Sequence, residues 1–97
     1  MYNVTHMASE DLRKLERVVK GFSNHRRIEI MRLLNRKPEL SLFEVASTLN
    51  INIKTASEHL RRLAIPGIVM KRYEGSIVRH ALTPLGKKIL KFLRILE

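Results

Sequence analysis

The chain has 97 residues, 44% of them hydrophobic, enough for one compact domain with a modest core. Its 19 Lys and Arg against 9 Asp and Glu give a formal net charge of +10, which favours a polyanionic partner, nucleic acid first and an anionic membrane surface second. The chain has no cysteine, which excludes disulfides, thiolate metal sites and a cysteine nucleophile, and no run approaches the roughly 20 apolar residues that span a bilayer. The opening "MYNVTHMASEDL" lacks the basic-then-apolar layout of a secretory signal, so a cytoplasmic protein is expected.

In chain order, Ser9 reads as an N-cap with Glu10 and Asp11 at the positive end of a helix dipole. Leu12, Leu15, Val18, Val19 and Phe22 then recur at helical spacing, giving a first helix that closes near Gly21. Ser23 or Asn24 caps a second helix whose Ile28, Met31 and Leu34 face inward while Arg26, Arg27, Glu29 and Arg32 stay wet; Pro38 blocks its continuation. "SLFE" from Ser41 to Glu44 has capping-box spacing and starts a short third helix with Leu42, Val45, Ala46 and Leu49 on one face.

Asn52 caps a fourth helix that Pro66 and Gly67 end. Ile53, Ala56, Leu60 and Leu63 form its buried stripe, and Lys54, Ser57, Glu58 and Arg61 form an exposed row opposite. Two short helices joined by so tight a turn must cross, which is helix-turn-helix geometry. Beyond Gly67 the period shortens to roughly 2, and "IVMKRY" and "SIVRHAL" read as a hairpin around Glu74, Gly75 and Ser76, with Lys71, Arg72, Arg79 and His80 near it and Val69, Val78 and Leu82 buried. Thr83 and Pro84 cap a closing helix with Leu85, Ile89, Phe92, Leu93 and Leu96 on one broad face and Leu90 and Ile95 outside it. The fold class is mainly α with a β-hairpin, a winged helix-turn-helix of five helices plus a two-stranded wing, as one domain over 1–97. Its helix-turn-helix unit falls at about 41–65, the wing at about 68–82 and a dimerisation helix at about 84–96.

This arrangement resembles the arsenic-repressor (ArsR) family of transcription regulators, with the MarR-like winged helices as near relatives. "SNHRRIEIMRLL" is similar to the family's second helix, and "LFEVASTLNINIKTASEHLRRLAIPGIV" to its DNA-reading unit, including Ser57, His59, Leu60, Leu63 and Gly67. "HALTPLGKKIL" is like the Leu-Thr-x-x-Gly entry to the last helix of many winged helices. The resemblance implies a transcription regulator, a repressor first, acting on DNA. In metal-sensing relatives the segment written here "ELSLFEV" carries two cysteines; this chain has Ser41 and Phe43 there, and its last helix has neither the His nor the Asp of a second family site. His6, His25, His59 and His80 also lack paired zinc-site spacing, so no metal and no cofactor are expected, and no pattern names an effector.

The B-DNA major groove admits one α-helix whose exposed side chains reach base edges. On that basis Arg61 is the expected bidentate base reader, Lys54 contacts a guanine or a phosphate, and Ser57 adds adaptable hydrogen bonds. Asn52 and Thr55 suit phosphate contacts at the helix terminus, and Glu58 pairs with Arg61 or Arg62 more readily than with a cytosine. His59 has a packing role, and Lys71, Arg72 and Arg79 place the wing on the phosphate backbone. A homodimer on a palindromic site is expected through Leu85, Ile89, Phe92, Leu93 and Leu96, with the first helix beside them. No catalytic constellation is present: there is no phosphate-binding glycine loop, paired carboxylate site or Ser-His-Asp context. The alternatives are a winged module for structured RNA or a protein partner, and a last helix lying on an anionic membrane surface.

Overall fold

A computed structural model describes residues 8–97; His6 lies outside the described residues. The element order is α1 (Ser9–Phe22), α2 (His25–Arg36), β1 (Leu40–Ser41), α3 (Leu42–Leu49), α4 (Ile53–Ala64), β2 (Val69–Glu74), β3 (Ile77–Leu82) and α5 (Pro84–Ile95). Local chemistry accounts for most helix starts. Asn24 accepts from the Arg26 and Arg27 amides, and Ser41 and Glu44 form the reciprocal capping box. Ser9 is not a cap: that position falls on Ala8, which has no side-chain acceptor, and Ser9 is the first helical residue.

The core is built around α2. Ile30 and Leu33 join Met31 and Leu34 as fully buried residues, so α2 buries more than one stripe, while Ile28 is only half-buried. Of the α2 polar residues expected to be wet, Arg26, Arg27 and Glu29 are half-buried and Arg32 is exposed. Val45 and Ala46 from α3, Ala56, Leu60 and Leu63 from α4, Ile68 and Val69 at the wing's base, Leu82 from β3 and Ile89 from α5 complete the core. On α1 only Gly21 is buried; Leu12, Leu15 and Val19 are exposed.

The sheet has three strands in the order β1-β3-β2, one more than the hairpin alone, because β1 pairs antiparallel with β3 through Leu40–His80 and Ser41–Arg79. The hairpin turn is shorter than expected, since Glu74 closes β2 opposite Ile77 and leaves Gly75 and Ser76 as the loop. Gly75 supplies the positive φ of 62° that such a turn demands. After Val69 every residue of β2 is exposed, so the wing projects into solvent instead of alternating in and out, and Val78 is only half-buried. His80 does not belong to its basic surface: it is 4% exposed, with Nδ1 3.0 Å from the Leu40 carbonyl. Burial pushes its imidazole below the ordinary value, so it is a neutral donor that ties β3 to β1.

The last helix divides its apolar residues between two faces. Leu85, Leu90 and Leu93 pack partly buried against the core beside Ile89, whereas Phe92, Ile95 and Leu96 are exposed. Leu90 is therefore an inward residue, and Phe92 and Leu96 are outward ones, contrary to the single broad face of the sequence pattern. The helix enters tightly. Thr83 Oγ1 accepts from the Gly86 amide at 3.1 Å and donates to the Gly67 carbonyl at 2.6 Å. A Cβ on Gly86 would stand 2.5 Å from the Ile68 carbonyl oxygen and 2.9 Å from Leu82 Cδ2, which gives the Leu-Thr-x-x-Gly motif its physical reason. Gly86→Ala is expected to destabilise the fold by about 1 to 3 kcal/mol through this overpacking. A urea midpoint equal to that of the parent chain would contradict the close approach.

Candidate nucleic-acid interface

The α3–α4 turn positions α4. Asn50 ends α3 in the left-handed region at φ 54°, its amide bonding back to the Ala46 and Ser47 carbonyls. Asn52 is extended, and its Oδ1 accepts from the Lys54 amide at 2.8 Å and the Thr55 amide at 3.4 Å. This side-chain oxygen is thus already engaged in capping. Ala56, Leu60 and Leu63 anchor α4, whereas Ile53, placed on the buried stripe by its spacing, is 46% exposed because it sits in the first turn, before the helix meets the core.

Opposite the anchor, Lys54, Thr55, Ser57, Glu58, Arg61 and Arg62 are exposed. Glu58 holds both arginines: Arg61 Nε donates to Oε1 at 3.1 Å and its second nitrogen to Oε2 at 2.8 Å, while Arg62 Nε reaches Oε2 at 3.0 Å. Hydrogen bonds from Arg61 and then Arg62 hold the Glu58 carboxyl down at about 2, so it is ionised throughout the neutral range. Exposed ion pairs of this kind are weak, because water screens the charges and holding two long side chains in one geometry costs entropy. The Arg61 guanidinium is therefore occupied but cheaply released.

The wing follows the same pattern. Arg72 faces Arg79 across the hairpin, and carboxylates relieve that like-charge pair. Arg72 bonds Glu39 at 2.6 Å; Arg79 bonds Glu74 at 2.9 Å, donates to the Glu39 carbonyl at 3.1 Å and lies 3.6 Å from Glu44. Glu39 holds this position at φ 70°, an uncommon conformation for a non-glycine residue. Among the described residues, Lys54 and Lys71 have no carboxylate within ion-pair distance. Between α4 and the wing lies an open groove of about 630 Å³ whose lining includes Phe43, Ile53, Ser57, Lys71 and Ile77.

Sequence reasoning missed the support behind α4. Arg27, expected to be solvated, sends Nε to the Gly21 carbonyl at 2.7 Å and a second nitrogen to the Lys20 carbonyl at 3.3 Å. Its remaining nitrogen lies 3.3 Å from His59 Nδ1, which must accept, because a guanidinium has no acceptor. Burial pushes both groups' proton affinities down, and a neutral His59 fits that accepting role. Two of these partners are backbone carbonyls, which no residue pattern announces.

Among the described residues, no group of three or more His, Asp or Glu could hold a metal, and no helix is long and apolar enough to cross a membrane. The inner apolar face of α5 is used in the core, while Phe92, Ile95 and Leu96 on its outer face are exposed.

A family model described as winged helix-turn-helix DNA-binding matches residues 23–64, spanning α2, α3 and α4. The chain is 33% identical over 76 residues, 78% of its length, to a cadmium resistance transcriptional regulatory protein, the CadC homolog of Staphylococcus aureus; the match spans 63% of that protein. The homodimeric winged helix-turn-helix DNA-binding domain of Mb0332 from Mycobacterium bovis, a possible ArsR-family transcriptional regulator, superposes with a TM-score of 0.84 at 25% identity, covering 99% of this chain and 89% of that one. Reduced HlyU from Vibrio cholerae superposes with a TM-score of 0.73 at 29% identity, covering 91% and 93%. The matched family model and the Mb0332 domain are described as DNA-binding, and the Staphylococcus aureus relative as a transcriptional regulatory protein.

If the α4 face meets a polyanion, Glu58→Gln should release Arg61 and Arg62, tighten binding to non-specific duplex and steepen its salt dependence by about 0.9 for each arginine that gains a phosphate. Anisotropy titrations across a salt series read both quantities; an unchanged affinity and slope would count against α4 as the contact surface.

Proposed function

The chain is a winged helix-turn-helix DNA-binding domain homologous to regulators of the arsenic-repressor family, and on that premise we propose that it is a cytoplasmic, sequence-specific repressor that binds a palindromic duplex site as a homodimer. The observation that carries the reading is α4 itself: a short helix anchored by Ala56, Leu60 and Leu63, with its whole polar row in solvent beside a projecting basic wing. Arg61 and Lys54 reach base edges, Ser57 supplies an adaptable donor or acceptor, and Thr55 and the Asn52 amide group contact phosphate. Arg61 does so by exchanging Glu58 for a guanine edge, while Arg62 stays with Glu58 or moves to a phosphate. Lys71, with Arg72 and Arg79 released from Glu39 and Glu74, follows the backbone beyond the groove.

Pairing supplies what one helix lacks. A single reading helix covers only a few base pairs, which is weak discrimination against a genome. The outward residues Phe92, Ile95 and Leu96 on α5 and Leu12, Leu15 and Val19 on α1 are the large apolar side chains left uncovered on the terminal helices. The seam therefore runs through Phe92 and Leu96 of the residues expected from sequence, with Leu85 and Leu93 at its edge and Ile89 withdrawn into the core. The Mb0332 domain, similar over nearly the whole chain, is homodimeric.

The cadmium resistance named for the Staphylococcus aureus relative does not transfer. Ser41 and Phe43 stand where the metal-sensing pattern has cysteines; Ser41 Oγ caps α3, and Phe43 has no donor atom. These residues do not fit a soft metal.

Selection of duplexes from a random pool tests the reading. The expected motif is two-fold symmetric, with half-site centres about 10 base pairs, or a multiple of that, apart. Phe92→Glu, at an exposed position that leaves the core intact, should yield a monomer that binds such sites far more weakly. Recovery of an asymmetric motif, or a parent chain that sediments as a monomer while binding fully, would overturn the dimer; no enriched motif would overturn specific recognition.

A further inference from the structure

We propose that Ile53 is a specificity-determining residue that reads the 5-methyl group of a thymine, in an apolar notch it shares with Phe43 at the leading end of α4. The inference rests on the DNA-reading role of α4 and adds to it the identity of one base. Ile53 is the first residue of the helix and is 46% exposed; Phe43, the second residue of α3, is 70% exposed. Both line the open groove between α4 and the wing, with Ile77 on its far wall and Ser57 and Lys71 among its polar members. Neither side chain contributes to the buried core, and Asn52, not Ile53, caps the helix. Phe43 and Ile53 thus stand uncovered on one side of a groove that has the exposed Ile77 opposite them and Ser57, Lys71 and Ser76 among its polar members.

The chemistry of the major groove supplies one partner for them. Base edges there present hydrogen-bond donors and acceptors and a single apolar group, the thymine methyl. The first residues of a recognition helix are the ones that meet base edges. Lys54 and Ser57 can answer donors and acceptors, whereas Ile53 can answer none, so a base offering only polar groups at its position loses its water without gaining a hydrogen bond. Thymine alone turns the exposed isoleucine into buried contact area.

The test uses the full chain and a duplex recovered by selection, in which thymines are replaced one symmetric pair at a time by deoxyuridine, so that only the methyl group is lost. At one pair the affinity should fall about fourfold per half-site, the weight of one buried methyl-sized group. Ile53→Ala should bind the thymine and deoxyuridine duplexes equally at that pair while keeping the parent's response at every other position; Ile53→Val should retain part of the discrimination. A parent chain indifferent to deoxyuridine at every thymine overturns the proposal whether or not the variants fold. So does an Ile53→Ala chain that still discriminates in full. A parent chain that binds no duplex at all fails at the earlier step, the DNA-reading role of α4, and the two failures are thereby told apart.

Discussion

The burial of Ala56, Leu60 and Leu63 is the contact on which the rest of the molecule depends. These side chains seat α4 against a core dominated by α2, and their stripe is narrow enough to leave the other faces of the helix in water. Ala56 is as important for its smallness as for its apolarity, because a fully buried alanine lets the helix backbone approach its neighbours closely. The turn before it then has no freedom: Asn50 in the left-handed region and Asn52 extended bring α4 across α3 within a few residues. Arg27 closes the arrangement from behind, joining the carboxyl end of α1 to His59 on α4. The terminal helix that carries an outward apolar stripe is thereby tied to α4.

Electrostatics on the outer surface follow a different rule. The net charge of +10 draws the chain toward a polyanion, yet the arginines best placed to touch it are held by Glu58, Glu39 and Glu74. All these pairs are solvated, and solvated pairs are weak. They orient the guanidinium groups without committing them, and a phosphate or guanine edge can displace the carboxylate at small cost. Lys54 and Lys71, which have no carboxylate within ion-pair distance among the described residues, supply attraction at longer range.

Features fixed by neighbours in sequence were legible before any coordinates. The capping box at Ser41 and Glu44, the Asn52 cap and the Thr83–Pro84 entry each satisfy orphan amides within a few residues, so spacing alone reveals them. Features fixed by neighbours in space were not. Ile53 has the period of a core residue but lies one turn short of the core, and Leu90 lies off the expected face yet packs inward because α2 and β3 approach α5 from more than one side. His80 looks like a wing cation until β1, a strand of two residues, pairs with β3 and covers it. Of the proposed contact residues, the exposed row of α4 was readable from helical period; the Glu39 partner of Arg72, whose carboxylate lies 33 positions away, and the Glu39 backbone carbonyl that Arg79 reaches 40 positions away were not.

The central claim is that α4 and the wing, and not the terminal helices, face the duplex. Amide chemical-shift mapping of the full chain during titration with a selected duplex tests it most directly. The largest changes are expected between Asn52 and Arg62 and along the wing around Lys71 and Arg79, with the outer face of α5 near its free positions. Changes concentrated on α1 and α5, with α4 silent, would contradict the account.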